Sequence, residues 1–201
     1  LHFRIDIKNM LKTKIIAADL RNLTDARYFA AWLVDYMSFN LSEESANLSK
    51  IKEIMDWVEG PIFSAQYTGL EDLQSIEAQL EALSINHLIL GPFANENIIN
   101  SEWQVTKTIL LDDDIVELAS DRTYIAQSTV TFSEFSQDKL NTLKKLCNSH
   151  SIYLDCGFSS ADIHSILDIG ITGLVLRGSE EEKVGVKSYE DLDEILEALE
   201  D

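Results

Sequence analysis

Short runs of β-branched and aliphatic residues recur along the chain, separated by stretches in which apolar residues return every three or four positions. The first pattern predicts strands at 14–18, 35–40, 61–66, 87–90, 105–111, 123–128, 151–155 and 172–177. The second predicts helices at 23–33, 46–58, 70–83, 134–148, 160–168 and 188–200. The last helix is the cleanest, with Leu192, Ile195, Leu196 and Leu199 on one stripe and acids on the opposite face. Leu140, Leu143 and Leu146 form a similar stripe. Segments 93–100 and 113–119 have room for only a turn or two of helix each, so the fourth and fifth crossovers are weak.

Eight strands alternating with helices at about twenty-five residues per unit match a small (β/α)8 barrel, whose lower size limit is roughly 200 residues. Alternation alone does not distinguish a closed barrel from a doubly wound open sheet, which stands as the alternative. No Gly-x-Gly-x-x-Gly follows the first strand, so a dinucleotide-binding fold has no positive support. Pro61 and Pro92 are the only prolines and no Gly/Ser-rich linker occurs. Residues 1–201 therefore read as a single domain, with residues 1–12 as an extension ahead of the first strand. Within it, Phe3 to Lys8 alternates like a short strand, suited to plugging the barrel floor or pairing with another subunit.

Composition narrows the function classes. A 45% apolar and 25% charged chain is ordinary for a folded protein. Sixteen basic against thirty-five acidic residues give a net charge of −19. Nucleic acid and anionic membrane surfaces both need a basic footprint, so neither is expected as a partner. Two cysteines, Cys147 and Cys156, are too few for a disulfide framework. No run approaches eighteen apolar residues and no basic-then-apolar leader is present, which leads to the expectation of a cytoplasmic protein, monomer or homodimer. His2, His87, His150 and His164 lack metal-ligand spacing, so no metal or cofactor is expected.

Particular segments then point to a family. Lys14-Ile-Ile-Ala-Ala-Asp19 closes the first strand, Asn22-Leu-Thr-Asp-Ala26 opens the first helix, Leu33-Val-Asp35 makes a turn, and Tyr36-Met-Ser-Phe39 forms the second strand. Phe63-Ser-Ala-Gln-Tyr67, Asn86-His-Leu-Ile-Leu-Gly91 and Val184-Gly-Val-Lys-Ser188 follow at matching places. Together they resemble the phosphoribosylanthranilate isomerase family, barrel enzymes of tryptophan biosynthesis. The resemblance is specific over the first forty residues and runs weakly over most of the chain. It implies an Amadori rearrangement of a phosphorylated sugar derivative, in which a base takes a proton from the sugar C2′ while an acid protonates the ring oxygen. The family's base cysteine falls here on Ala18 and its neighbouring glycine on Asp19. The family's general-acid aspartate falls on Gln127 or Ser128. Its phosphate loop after the second strand is replaced by Ser42-Glu-Glu-Ser45. Each proton-transfer group is worth about 10²–10⁴-fold in rate, so a chain lacking both is expected to lack the parent reaction.

Other residues at the strand ends are candidates for chemistry. Asp19 and Asp155 are the carboxylates to which proton transfer would have relocated, and Cys156, ahead of a predicted helix, is a candidate nucleophile. For a phosphate the loops after strands seven and eight are the expected place, with Gly157, Ser159, Arg177, Gly178 and Ser179 as donors. Glu180 to Glu182 follow directly and oppose an anion unless they face solvent. Asp112 to Asp114 read as a solvated helix start or, less readily, as a Mg²⁺ site. Three functions stay open: a divergent barrel binding a phosphorylated small molecule without the parent activity, an active isomerase with relocated acid and base, and a non-catalytic scaffold or partner-binding barrel.

Overall fold

A computed structural model describes residues 11–42, 47–94, 102–113, 118–120, 122–178, 181–183 and 186–200. The eight strands are β1 (Lys14–Ala18), β2 (Tyr36–Asn40), β3 (Ile62–Tyr67), β4 (His87–Leu90), β5 (Gln104–Leu110), β6 (Thr123–Gln127), β7 (Ser151–Asp155) and β8 (Gly173–Arg177). Each pairs in parallel with the next, and β8 returns to β1 in a register running from Lys14 opposite Gly173 to Ala18 opposite Arg177. The sheet is thus closed, a (β/α)8 barrel rather than a doubly wound sheet.

Six helices accompany the strands: α1 (Leu23–Ala31), α2 (Leu48–Trp57), α3 (Leu73–Leu83), α4 (Gln137–Ser149), α5 (Ile163–Leu167) and α6 (Glu190–Ala198). Several start later than the hydrophobic period predicts, because a polar side chain claims the first free amides. Asn47 accepts from Lys50 N–H, Asp72 from Ser75 N–H, and Ser136 from Lys139 N–H. Residues 160–162, expected as helix, form a 3-10 turn ahead of α5. After β8 a small antiparallel hairpin appears that the pattern did not predict, β9 (Glu181–Lys183) with β10 (Val186–Lys187). Most of the two weak crossovers, the strand-like Phe3 to Lys8 and Ser179 lie outside the described residues.

Side chains alternate across each strand, so one set faces the helices and the other the barrel lumen. The outward set carries most of the apolar core: Met37, Phe39, Leu88, Leu154 and Leu174 pack with Phe29, Leu80, Leu143 and Leu196 of the helices. The lumen is filled differently. Ile16, Ala18, Ile89, Ile125, Tyr153 and Val175 form a separate small apolar cluster. Ser38, Ser64, His87, Thr106 and Thr108 occupy other inward positions and are buried. Ser64 Oγ lies 2.5 Å from His87 Nδ1, and His87 Nε2 lies 3.0 Å from Thr106 Oγ1. Among the described residues no helix is long and apolar enough to cross a membrane.

Candidate functional site at the barrel mouth

The last inward residue of each strand opens toward the C-terminal end of the barrel, where barrels of this type carry their sites. Ala18, Asn40, Gln66, Gln127, Asp155 and Arg177 line a cavity of about 280 Å³ there. Its rim carries two large apolar side chains held out to solvent, Leu70 at 80% and Phe93 at 74% exposure.

One ion pair dominates the interior of this mouth. Arg177, at the end of β8, donates from Nη1 to Asp155 Oδ1 at 2.6 Å and from Nη2 to Asp155 Oδ2 at 2.8 Å. Gln127 Nε2, at the end of β6, donates to the same Oδ2 at 3.2 Å. Asp155 is 6% exposed, so these partners replace the water its charge requires. The hydrogen bond to Asp155 holds the Arg177 guanidinium still more firmly in its charged form, against the opposing effect of burial. Strand ends from β6, β7 and β8 therefore meet in one network. Ala18 faces the same cavity with no ionisable group, and Gln127 offers an amide where the resemblance places an acid.

Asp19 is placed otherwise. Its backbone is left-handed, with φ of 56°, the conformation a glycine adopts at least cost and the place where the family resemblance puts a glycine. Its Oδ2 accepts from Arg21 Nη2 at 3.0 Å, while Oδ1 is buried without a hydrogen-bond partner among the described residues. Asp19 does not line the cavity; Ala18 does.

The loops after β7 and β8 bring carboxylates to the expected phosphate donors. Ser159 gives both its N–H and its hydroxyl to Asp162 Oδ2, each at 2.9 Å, in a capping box. The Gly157 carbonyl accepts from Phe132 N–H at 2.7 Å, and a Cβ on Gly157 would meet Thr131 Cγ2 at 3.0 Å. A Cβ on Gly178 would lie 2.5 Å from Asp25 Oδ2, so the absence of a side chain there admits the Asp25 carboxylate. Asp25 is 4% exposed and accepts from Asn22 Nδ2 at 2.7 Å and Tyr189 Oη at 2.5 Å. Arg177, Ser159 and Gly178 thus each stand against an internal carboxylate.

The setting of Cys156 disfavours a nucleophilic thiolate. Burial, reinforced by Asp155 and Asp162, pushes its thiol up to about 12. Asp112 is a cross-link between loops. It accepts from Ser128 Oγ at 2.8 Å, from Thr129 N–H at 2.9 Å and from Lys139 Nζ. The Lys139 contact, with these other donors, holds its carboxyl well below the usual range. Among the described residues no group of three potential metal ligands converges. The apolar rim escaped the sequence reading; its signal is that Leu70 follows Gly69 and Phe93 follows Gly91-Pro92, breaker positions at which a large apolar residue is exposed.

No family model and no curated protein matches the chain at the level of sequence. Solved structures do. Phosphoribosylanthranilate isomerase from Thermus thermophilus superimposes with a TM-score of 0.73 at 17% identity, over 93% of this chain and 98% of that one. By fold, this is a phosphoribosylanthranilate isomerase-like barrel. The enzyme of the same name from Thermotoga maritima gives a TM-score of 0.71 at 12% identity, again over 93% and 98%. A 3-hexulose-6-phosphate synthase also matches, with a TM-score of 0.64 at 12% identity over 93% and 99%. These superpositions span nearly the whole of each of those chains, and identities this low speak for the fold alone.

Proposed function

We propose that this barrel does not carry out the parent isomerisation and acts as a small-molecule-binding protein whose ligand sits at the mouth. The observation that carries this reading is the occupancy of the mouth cavity. The position resembling the family's base is Ala18, the position resembling its acid is Gln127, and the cavity's one carboxylate among the described residues, Asp155, is fully engaged by Arg177. A proton-transfer group must be within hydrogen-bond reach of the atom it serves. Asp19, turned toward Arg21 and outside the cavity lining, is not so placed.

The Arg177–Asp155 pair presents donors and acceptors side by side, beneath the apolar rim of Leu70 and Phe93. That combination suits a hydroxylated or otherwise polar small molecule with one apolar face. A phosphate group on the ligand has Arg177 as its anchor, but it must compete with Asp155 for it. The Ser159 donors are taken by Asp162 and Gly178 is backed by Asp25, which weakens the strand-seven and strand-eight loops as a phosphate cup.

Two measurements test the reading. A tryptophan auxotroph lacking phosphoribosylanthranilate isomerase is expected not to grow when this chain is expressed soluble and folded; growth would overturn the proposal. Titrations with ribose and ribose 5-phosphate, followed by amide chemical shifts, then separate ligand classes. Shifts at Gly91, Gln127 and Gly178 with either sugar support a mouth site, and tighter binding of the phosphorylated one assigns the phosphate to Arg177.

A further inference from the structure

Strand register sets the polar ends of the barrel side by side. Asn40 of β2 stands opposite Gln66 of β3, and Gln127 of β6 stands opposite Asp155 of β7. All four line the mouth cavity, and Thr108 of β5 lines it with them. Below this polar belt the cavity ends on branched aliphatic side chains, Ile89, Ile125 and Val175.

Much of the belt's hydrogen-bonding capacity is unspent. The Gln66 carboxamide makes no hydrogen bond with a described residue, so a donor and an acceptor both stand ready. Asn40 is oriented by Ser42 N–H, which donates to its Oδ1 at 3.1 Å and leaves the Nδ2 donors over. Gln127 spends Nε2 on Asp155 and keeps Oε1 as an acceptor. The Thr108 side chain is buried, at 8% exposure for the residue, yet its hydroxyl has no partner among the described residues. None of these atoms is sealed in protein, so each opens onto the cavity. Buried polar groups are ordinarily paired inside the protein, and a belt left unpaired beside a cavity is available to a ligand.

The belt is also neutral. Among the described lining residues the only charges are Asp155 and Arg177, and they satisfy each other. An anionic group would have to take Arg177 from Asp155, and being an acceptor only it would leave Gln127 Oε1 unmatched. A hydroxyl both donates and accepts, which suits a belt of mixed donors and acceptors. The C–H face of a saturated ring suits the aliphatic floor, where a flat aromatic base would find no stacking partner. A cavity of about 280 Å³ is at the small end for ligand sites and admits one such ring.

We infer that the ligand of the mouth is a neutral, unphosphorylated monosaccharide, its hydroxyls met by Asn40, Gln66, Thr108 and Gln127. This inference rests on the reading of the mouth as a small-molecule site and narrows it to one class. Gln66 is then the main determinant of specificity, because its whole carboxamide is uncommitted.

The experiment follows the full ¹⁵N-labelled chain during titration with D-ribose, D-xylose and D-glucose, and in parallel with ribose 5-phosphate and adenine. Saturable shifts are expected with at least one neutral sugar at the side-chain amides of Asn40 and Gln66 and at the Gly91 amide. Ribose 5-phosphate is expected to bind no tighter than ribose. Gln66→Met keeps the length of the side chain and gives up no hydrogen bond to a described residue. It is expected to weaken sugar binding by about tenfold, while Gln74→Met, exposed on α3, leaves it unchanged. Mouth shifts with ribose 5-phosphate or adenine, and none with a neutral sugar up to about 50 mM, would overturn the inference and leave the mouth a binding site. So would tighter binding of the phosphorylated sugar, or sugar binding indifferent to Gln66→Met. Silence at the mouth with all five compounds would overturn the inference and the reading beneath it together.

Discussion

Asp155 at the end of β7 receives both nitrogens of the Arg177 guanidinium from the end of β8, at 2.6 and 2.8 Å. The two partners differ in exposure: the Asp155 side chain is 8% exposed and the Arg177 side chain 45%. Removing either one therefore has unequal consequences. Arg177→Met strands a buried carboxylate and is expected to cost about 3 kcal/mol of stability. Asp155→Asn leaves a guanidinium that water reaches and is expected to cost about 1 kcal/mol. The Asn/Met double variant is expected to lose less than the sum. Urea unfolding of the four proteins measures all three quantities, and additive losses would show that the pair is not coupled.

His87 predicts a pH dependence. Burial among Ser64, Thr106 and Tyr36 draws it down to about 4 from the ordinary histidine value of 6.5. The unfolded chain then binds a proton that the folded chain refuses between those two values. Stability is full above about 6.5 and falls as pH drops toward 4, by about 3 kcal/mol in all. Glu71 follows at lower pH. Burial raises its carboxyl, but hydrogen bonds from Ser42, Thr68 and Gly69 bring it to about 2, so its contribution is lost as pH falls from the ordinary 4.5 through that value. His87→Gln is expected to flatten the upper limb of the stability profile and leave the lower one in place, as thermal unfolding across pH would report.

The two thiols are expected to be silent in the native protein. Burial pushes Cys147 up to about 11 and Cys156 up to about 12, against an ordinary thiol value of 9.0. At neutral pH the thiolate fraction of Cys156 is then about a thousandfold lower than that of a free cysteine. Ellman's reagent should titrate both thiols promptly in denaturant and neither on that timescale in native buffer. Rapid native modification of one thiol would contradict its placement.

Asp19 combines a left-handed backbone with a buried carboxylate oxygen that has no hydrogen-bond partner among the described residues. Asp19→Gly relieves both and gives up an ion pair to the exposed Arg21 and a weaker coulombic attraction to Arg177. The variant is expected to be more stable than the parent chain by about 0.5–1 kcal/mol, whereas Asp19→Val should be less stable. Calorimetric midpoints decide between these, and an unchanged or lowered midpoint for the glycine variant would mean that Asp19 contributes a contact beyond those seen.

The strands were legible because a barrel strand, covered by helices, must be apolar on its outward face, and that requirement is written locally. Strands β1, β4 and β7 begin and end where the apolar pattern predicts. Helix starts were less legible, since the cap at Asp72 or Ser136 competes with an amphipathic period that extends past it. The site was legible only as a set of strand ends. That Arg177 closes onto Asp155, or that Asp25 stands behind Gly178, depends on closure of β8 against β1 and on packing between distant segments.

The division between the outer apolar shell and the mixed lumen has an evolutionary meaning. Because the free energy of folding is gathered where sheet meets helices, the inside of the barrel is under comparatively little packing constraint. Serines, threonines and a neutral histidine already occupy places that a more conventional interior would give to valine and isoleucine. Such a lumen is the part of the protein that substitution can rewrite at least risk to the whole.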